Sequence, residues 1–234
     1  MNGSSRGQRP VPFRDRAEAG RYLATKLEHY RGRTDLLVLA LPRGGVPVGF
    51  EVAASLHAPL DVFIVRKLGL PGHEELAIGA IATGGAKVFD RYLMGELGIS
   101  EEDLFPVVAR EERELERREI EYRGSEPPVS VAGRTAILVD DGLATGYTMR
   151  AAVAALKQEG ATQIVVAVPI APPETCDSFR AEVDEIVCAV TPEPFIAVGL
   201  WYKDFSQTSD EEVSDLLARA NSISASRVSD NVGR

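Results

Sequence analysis

Only two cysteines, Cys176 and Cys188, occur in 234 residues. Their separation matches neither a CxxC redox pair nor a zinc-ligand pair, so structural thiols in a reducing compartment are the expectation. The three histidines, His29, His57 and His73, are scattered along the chain, and no metal site is expected from protein ligands alone. Basic residues are also short. The 26 Lys and Arg stand against 35 Asp and Glu, a formal net charge of -9, which excludes a nucleic-acid binder that works by broad phosphate neutralisation. An anionic ligand must therefore meet basic groups locally. No apolar run approaches the roughly 20 residues of a membrane helix, and the opening stretch MNGSSRGQRPVP has no apolar h-region. The expectation is a soluble, cytoplasmic protein that uses neither membrane nor nucleic acid. No internal repeat is found.

With 44% hydrophobic residues, the chain can bury one sizeable α/β core. Residues 1–14 read as a flexible N-terminal segment, 15–220 as the folded domain, and 221–234, rich in Ser and Asn, as a mobile tail. Helical spacing over 15–30 precedes an apolar strand at 36–40, which stops at Pro42-Arg43-Gly44-Gly45. A short helix over 47–56 leads to a second β-branched run at 62–65, ending on Arg66-Lys67. Residues 77–82 and 87–89 flank Gly84-Gly85 as a hairpin. The glycines of 79–85 do not open a helix after a strand, so they are no dinucleotide fingerprint. His73-Glu74-Glu75, after Pro71-Gly72, reads as an exposed turn. The stretch 100–122 predicts a long, charged, solvated helix. From Thr135 onward, strand and helix alternate again, giving a second doubly wound half.

The strongest chemical signal is ILVDDGLATGYT, residues 137–148. A buried strand runs into Asp140 and Asp141, then into a small-residue turn that opens a helix. Free amides and the helix dipole over 144–148 favour a phosphate; Thr145 and Thr148 add hydroxyl donors, and Gly146 admits close backbone approach. Adjacent carboxylates cannot serve a phosphate directly. They can accept hydrogen bonds from the paired hydroxyls of a ribose. The plainer alternative is that the acids cap a βα loop and the threonines cap the next helix.

This segment resembles the phosphoribosyl pyrophosphate (PRPP) signature of type I phosphoribosyltransferases, and the resemblance extends over about residues 36–205. It implies an α/β fold with a central, mostly parallel sheet flanked by helices and topped by a small hood. It implies an enzyme that moves ribose 5-phosphate from PRPP to a nitrogenous acceptor, releasing pyrophosphate. On this likeness Asp140 and Asp141 hold the ribose hydroxyls, and Ala144, Thr145, Gly146, Tyr147 and Thr148 cradle the 5-phosphate. LALPRGGVPVG matches the family's first loop, which assigns Arg43, Gly44 and Gly45 to the pyrophosphate. Arg66 and Lys67 are similar to a basic pair of the adenine-type members. Ala144 stands where the 6-oxopurine enzymes carry an acid/base Asp, so the likeness is closer to the orotate and adenine types.

The family's mobile loop falls on residues 110–123. Arg117 and Arg118, with Arg113 and Arg123, are candidates to close over the leaving pyrophosphate. The alternative is a solvated face of i,i+4 ion pairs. Trp201, in the C-terminal hood segment, is a candidate to stack on a planar base, beside Phe195 and Tyr202; burial in the core is its alternative. Mg²⁺ is implied, held mainly through PRPP and water, and a homo-oligomer is expected. A PRPP- or nucleotide-sensing regulator of the same fold is the competing function. The acceptor is not legible.

Overall fold

The computed structural model describes residues 12–232, with side chains described to residue 223. Its centre is set by strands that are apolar on both faces. In β1 (Leu36–Ala40), β6 (Thr135–Val139) and β7 (Gln163–Ile170), alternate side chains enter different cores. Leu36, Val38, Ile137, Val139 and Val165 face one; Leu37, Leu39, Leu138, Val166 and Val168 face the other. Strands buried on both sides require helices on both sides. α1 (Arg16–Lys26), α2 (Gly45–Leu56) and α7 (Asp210–Val232) cover the first face, and α5 (Tyr147–Gln158) and α6 (Pro173–Phe179) the second.

With β2 (Leu60–Val62) and β8 (Glu185–Val190), these strands form a parallel sheet in the order β2-β1-β6-β7-β8. From β1 the chain passes through α2 outward to β2. From β6 it passes through α5 in the opposite direction, to β7. β1 and β6 pair directly, Leu36 with Thr135 through Ala40 with Val139. Their carboxyl ends therefore open side by side where strand order reverses, the crevice in which α/β sheets bind ligands.

A separate antiparallel sheet, β3 (Val65–Leu70), β4 (His73–Ala82) and β5 (Lys87–Phe89), forms the hood. The hairpin at Gly84-Gly85 is present. The run 62–65 is not one strand, however. The Phe63 amide still donates to the Ala40 carbonyl, but the Ile64 amide donates to Thr83 Oγ1 and carries the chain across to the hood. Arg66 and Lys67 thus begin a hood strand instead of ending a parallel one.

After α3 (Arg91–Leu97), the charged stretch forms α4 (Phe105–Arg123), a helix as expected but not an open lid. Val108, Leu115 and Tyr122 recur on one stripe and are buried. At its end the Arg123 guanidinium pairs with Asp61 at 2.7 Å, with side chains only 5% and 7% exposed. Asp61 also accepts from the Val129 amide at 3.0 Å. Apolar area and a desolvated ion pair hold the segment that charge alone would leave loose.

Three further expectations are corrected. Phe13, inside the segment read as flexible, is 1% exposed; its amide donates to the Trp201 carbonyl and its ring meets Tyr22 and Tyr202. Residues 1–11 lie outside the described residues. α7 continues past residue 221 to Val232, so the expected tail boundary falls within a helix; 233–234 lie outside the described residues. Cys176 and Cys188 are not free thiols but a disulfide, because α6 and the neighbouring β8 bring their Cα atoms to 6.6 Å.

Removing one partner from a buried pair strands the other charge. Arg123→Leu is expected to lose about 3–5 kcal/mol of stability, measured as the shift in urea midpoint, and Asp61→Leu in the same background is expected to recover part of that loss.

Candidate active site

Two loops meet at the β1–β6 crevice. The Leu41 amide donates to the Val139 carbonyl at 2.9 Å, drawing the first loop over the end of β6. A Cβ on Gly45 would lie 2.7 Å from that carbonyl and 3.0 Å from Asp140 Cα, and a Cβ on Gly44 would overlap the Asp141 carboxylate. Both glycines are needed for space: Gly44 has an ordinary helical conformation.

Asp140 and Asp141 leave the sheet together. Burial, then the neighbouring Asp141 charge, pushes the Asp140 carboxyl well above the usual range. Burial raises Asp141 too, while Arg16 opposes it. The Arg16 Nε donates to Asp141 Oδ2 at 2.8 Å, with side chains 12% and 15% exposed. The Tyr202 hydroxyl donates to the Asp141 carbonyl at 2.5 Å. Burial and the two acids raise the Tyr202 phenol far above its ordinary range, which keeps it a neutral donor.

Beyond the acids, Gly146 is buried at φ 77° and caps α5, while Ala144, Thr145, Tyr147 and Thr148 line an exposed rim. The first amides of a helix have no partner within it, so this rim presents donors to solvent at the positive end of α5. α6 supports the turn from below. Thr175 Oγ1 donates to the Ala144 carbonyl at 2.8 Å, and Arg150 Nη1 to the Thr145 carbonyl at 3.0 Å. Arg150 also binds Glu182 and Ser178 and lies 4.5 Å over the Phe179 ring. The Cys176–Cys188 disulfide fastens α6 to β8.

The crevice thus brings together Arg43, Gly44 and Gly45, the two acids, and the 144–148 turn. Arg43 reaches Asp210 at 3.4 Å, at the start of α7. Other expected residues are placed differently. Arg66 makes two hydrogen bonds to the buried Glu111, at 2.9 and 2.6 Å, whereas Lys67 is exposed. Arg117 pairs with Glu114 and Glu121, and Arg118 with Glu114. Their hydrogen bonds pull Glu114 down to about 2. These are contacts within α4, as in the ion-paired alternative. Trp201 packs against the cluster of Phe13, Ala19, Ile170 and Tyr202, and its buried indole nitrogen has no hydrogen-bond partner among the described residues.

Sequence reading misses Arg16, Arg150, Thr175 and the hydroxyl role of Tyr202. Arg16 sits in an ordinary charged helix, and nothing local marks its partner 125 residues away. Tyr202 stands out in the sequence for its ring, not for its O–H.

A doubly wound sheet with two loops and a diacid at its switch point defines an α/β protein with a candidate ligand crevice at the carboxyl edge of its parallel sheet. The family model described as "Phosphoribosyl transferase domain" matches residues 15–202, and the chain belongs to that family. It is 45% identical over 209 residues to a Mycobacterium tuberculosis H37Rv protein provisionally named a phosphoribosyl transferase; the same holds for its CDC 1551 counterpart. That match covers 89% of this chain but 47% of the relative, so the chain spans about half the length of these curated relatives. The crystal structure of TT1426 from Thermus thermophilus is 42% identical and superimposes with a TM-score of 0.80, covering 89% of this chain and 99% of that one.

At Gly146 a side chain would meet both a positive φ and the Phe179 ring, at 2.6 Å from the added Cβ. Inorganic phosphate or sulfate is expected to raise the Tm of the unaltered protein, and Gly146→Val is expected to cost about 1–3 kcal/mol in backbone strain and to abolish that rise. Differential scanning calorimetry with and without the anion checks both.

Proposed function

We propose that this chain is a phosphoribosyltransferase that moves ribose 5-phosphate from PRPP to a nitrogenous acceptor with release of pyrophosphate. The observation that carries the reading is the meeting of three elements at one switch point: the close-packed Gly44-Gly45 loop, the Asp140–Asp141 pair and the donor-rich turn before α5. The relatives' provisional name supports it.

In this reading the 5-phosphate lies on the amides and hydroxyls of 144–148. The ribose hydroxyls donate to the diacid, which fixes the sugar with its anomeric carbon facing the acceptor. The pyrophosphate lies along Arg43, Gly44 and Gly45. A ring-nitrogen lone pair attacks the anomeric carbon as its bond to the pyrophosphate oxygen breaks, and that oxygen takes the bonding pair. Negative charge grows on the leaving group, so fixed donors aimed at it lower the barrier. Lys67 is exposed in the hood and is available to supply further positive charge. With Asp140 and Asp141 given to the ribose hydroxyls and Asp141 paired with Arg16, Mg²⁺ would be held mainly through PRPP and would supply neutralisation of phosphate charge. Ala144 offers no acid or base to the acceptor, so the acceptor's own proton leaves to solvent or to pyrophosphate.

Pyrophosphate release from labelled PRPP, screened over purine, pyrimidine and pyridine bases, is the test. One class of base is expected to give turnover. Each charge-assisted hydrogen bond to the diacid is worth about 1.5–3 kcal/mol, so Asp140→Asn/Asp141→Asn is expected to lower kcat/KM by roughly 100-fold or more. PRPP binding with no turnover on any acceptor would replace the enzyme with a sensor.

A further inference from the structure

Arg16 is the basic side chain that the structure places on the diacid, and neither sequence signature contains it. Its guanidinium makes three contacts with two parts of the fold. Nε donates to Asp141 Oδ2 at 2.8 Å, Nη1 donates to the Ser206 carbonyl at 2.7 Å, and the Phe205 ring lies 4.1 Å from its Cζ. A Cβ built on Gly44 would come within 3.3 Å of Arg16 Nε as well as onto the Asp141 carboxylate. Arg16 therefore touches the acid, adjoins the first loop, and anchors the segment that follows Tyr202.

We propose that Arg16 is a positioning residue for ribose capture: it holds the Asp141 carboxylate in place for the sugar hydroxyls and ties that carboxylate to residues 205–206 of the C-terminal loop before α7. The inference rests on the proposed PRPP-binding reading and adds to it a residue and a coupling between the sugar site and the loop that holds Phe205 and Ser206. Two adjacent, partly buried carboxylates repel each other, and a carboxylate accepts hydroxyl protons best when ionised. The groups that face Asp141 are few. Asp140 stands beside it, Arg16 comes from α1, the Tyr202 hydroxyl meets its carbonyl, and the Gly44 backbone lies above it. Asp204 lies within electrostatic reach of Arg16, and Arg43 is engaged by Asp210. Arg16 is thus the contacting countercharge for Asp141. Its removal raises the carboxyl further, so the pH below which ribose capture fails moves upward. The stack on Phe205 and the bond to Ser206 carry the same contact into the loop before α7.

The test compares the full chain with R16Q, R16K and F205L, using calorimetric titration of Mg²⁺ with PRPP from pH 5 to 9 and hydrogen exchange of residues 198–206. R16Q is expected to weaken PRPP by about tenfold or more, on the scale of one charge-assisted hydrogen bond, and to shift the acid limb to higher pH. R16K keeps the charge and is expected to restore the limb while leaving 205–206 less protected. F205L keeps the guanidinium and is expected to bind PRPP within about threefold of the unaltered chain, but to lose the ligand-induced slowing of exchange in 202–206; this arm decides the coupling even if R16Q fails to fold. R16Q that binds with the affinity and acid limb of the unaltered chain, R16Q that binds more tightly, or F205L with undiminished ligand-induced protection would overturn the inference. An unaltered chain that binds no PRPP would instead defeat the proposed function on which it rests.

Discussion

Two carboxylates partly withdrawn from water at the end of one strand are the constraint around which the crevice is organised. Asp140 and Asp141 are consecutive, so the chain cannot place them apart, and burial makes their joint ionisation costly. Much of the surroundings answers that cost. α1 delivers one guanidinium, the C-terminal segment at Tyr202 delivers a neutral phenolic donor to the backbone, and the first loop is reduced to glycine where it crosses the carboxylates. The bridge between Phe13 and Tyr202 closes the circle, because residues 12–14 lead straight into the helix that carries Arg16. An arrangement that looks like three local features is one electrostatic problem solved from three directions.

The excess of acid shapes the rest of the charge distribution. Arg66, Arg117, Arg118 and Arg123 each pair with a carboxylate. Cations that composition alone would offer to an anionic ligand are committed to stabilising the hood and α4. In the proposed reading, anion recognition then falls chiefly to backbone amides at glycines and at a helix start, whose partial charges cannot be neutralised by a neighbouring Glu, and a chain of net charge -9 can still offer an anion an edge of donors.

The layers of the fold are legible in the sequence because they rest on continuous apolar runs and on the two strand-to-turn junctions, at Ala40 and Val139. The same rules locate the acids and the turn. What they miss is long-range. Nothing near Arg66 announces Glu111, nothing near Arg123 announces Asp61, and charged spacing in α4 conceals the buried stripe through Leu115. The 62–65 run misleads because an apolar segment that crosses between two sheets has the composition of a strand within one. The cysteines mislead because a pair 12 residues apart carries no local signature; it meets only when α6 folds back beside β8.

The pairing of β1 with β6 has a consequence for how the molecule comes into being. The first loop belongs to the early part of the chain and the diacid to the late part, and five parallel residue pairs join them. Neither fragment alone possesses the crevice. Parallel pairing across so long an intervening stretch is a high-contact-order event and a slow one, so the binding edge is among the last features to exist during folding and among the first erased when the seam parts. Any molecule that spans both loops is for that reason a cross-brace, and its occupancy resists separation of the two halves in the same measure as it is held.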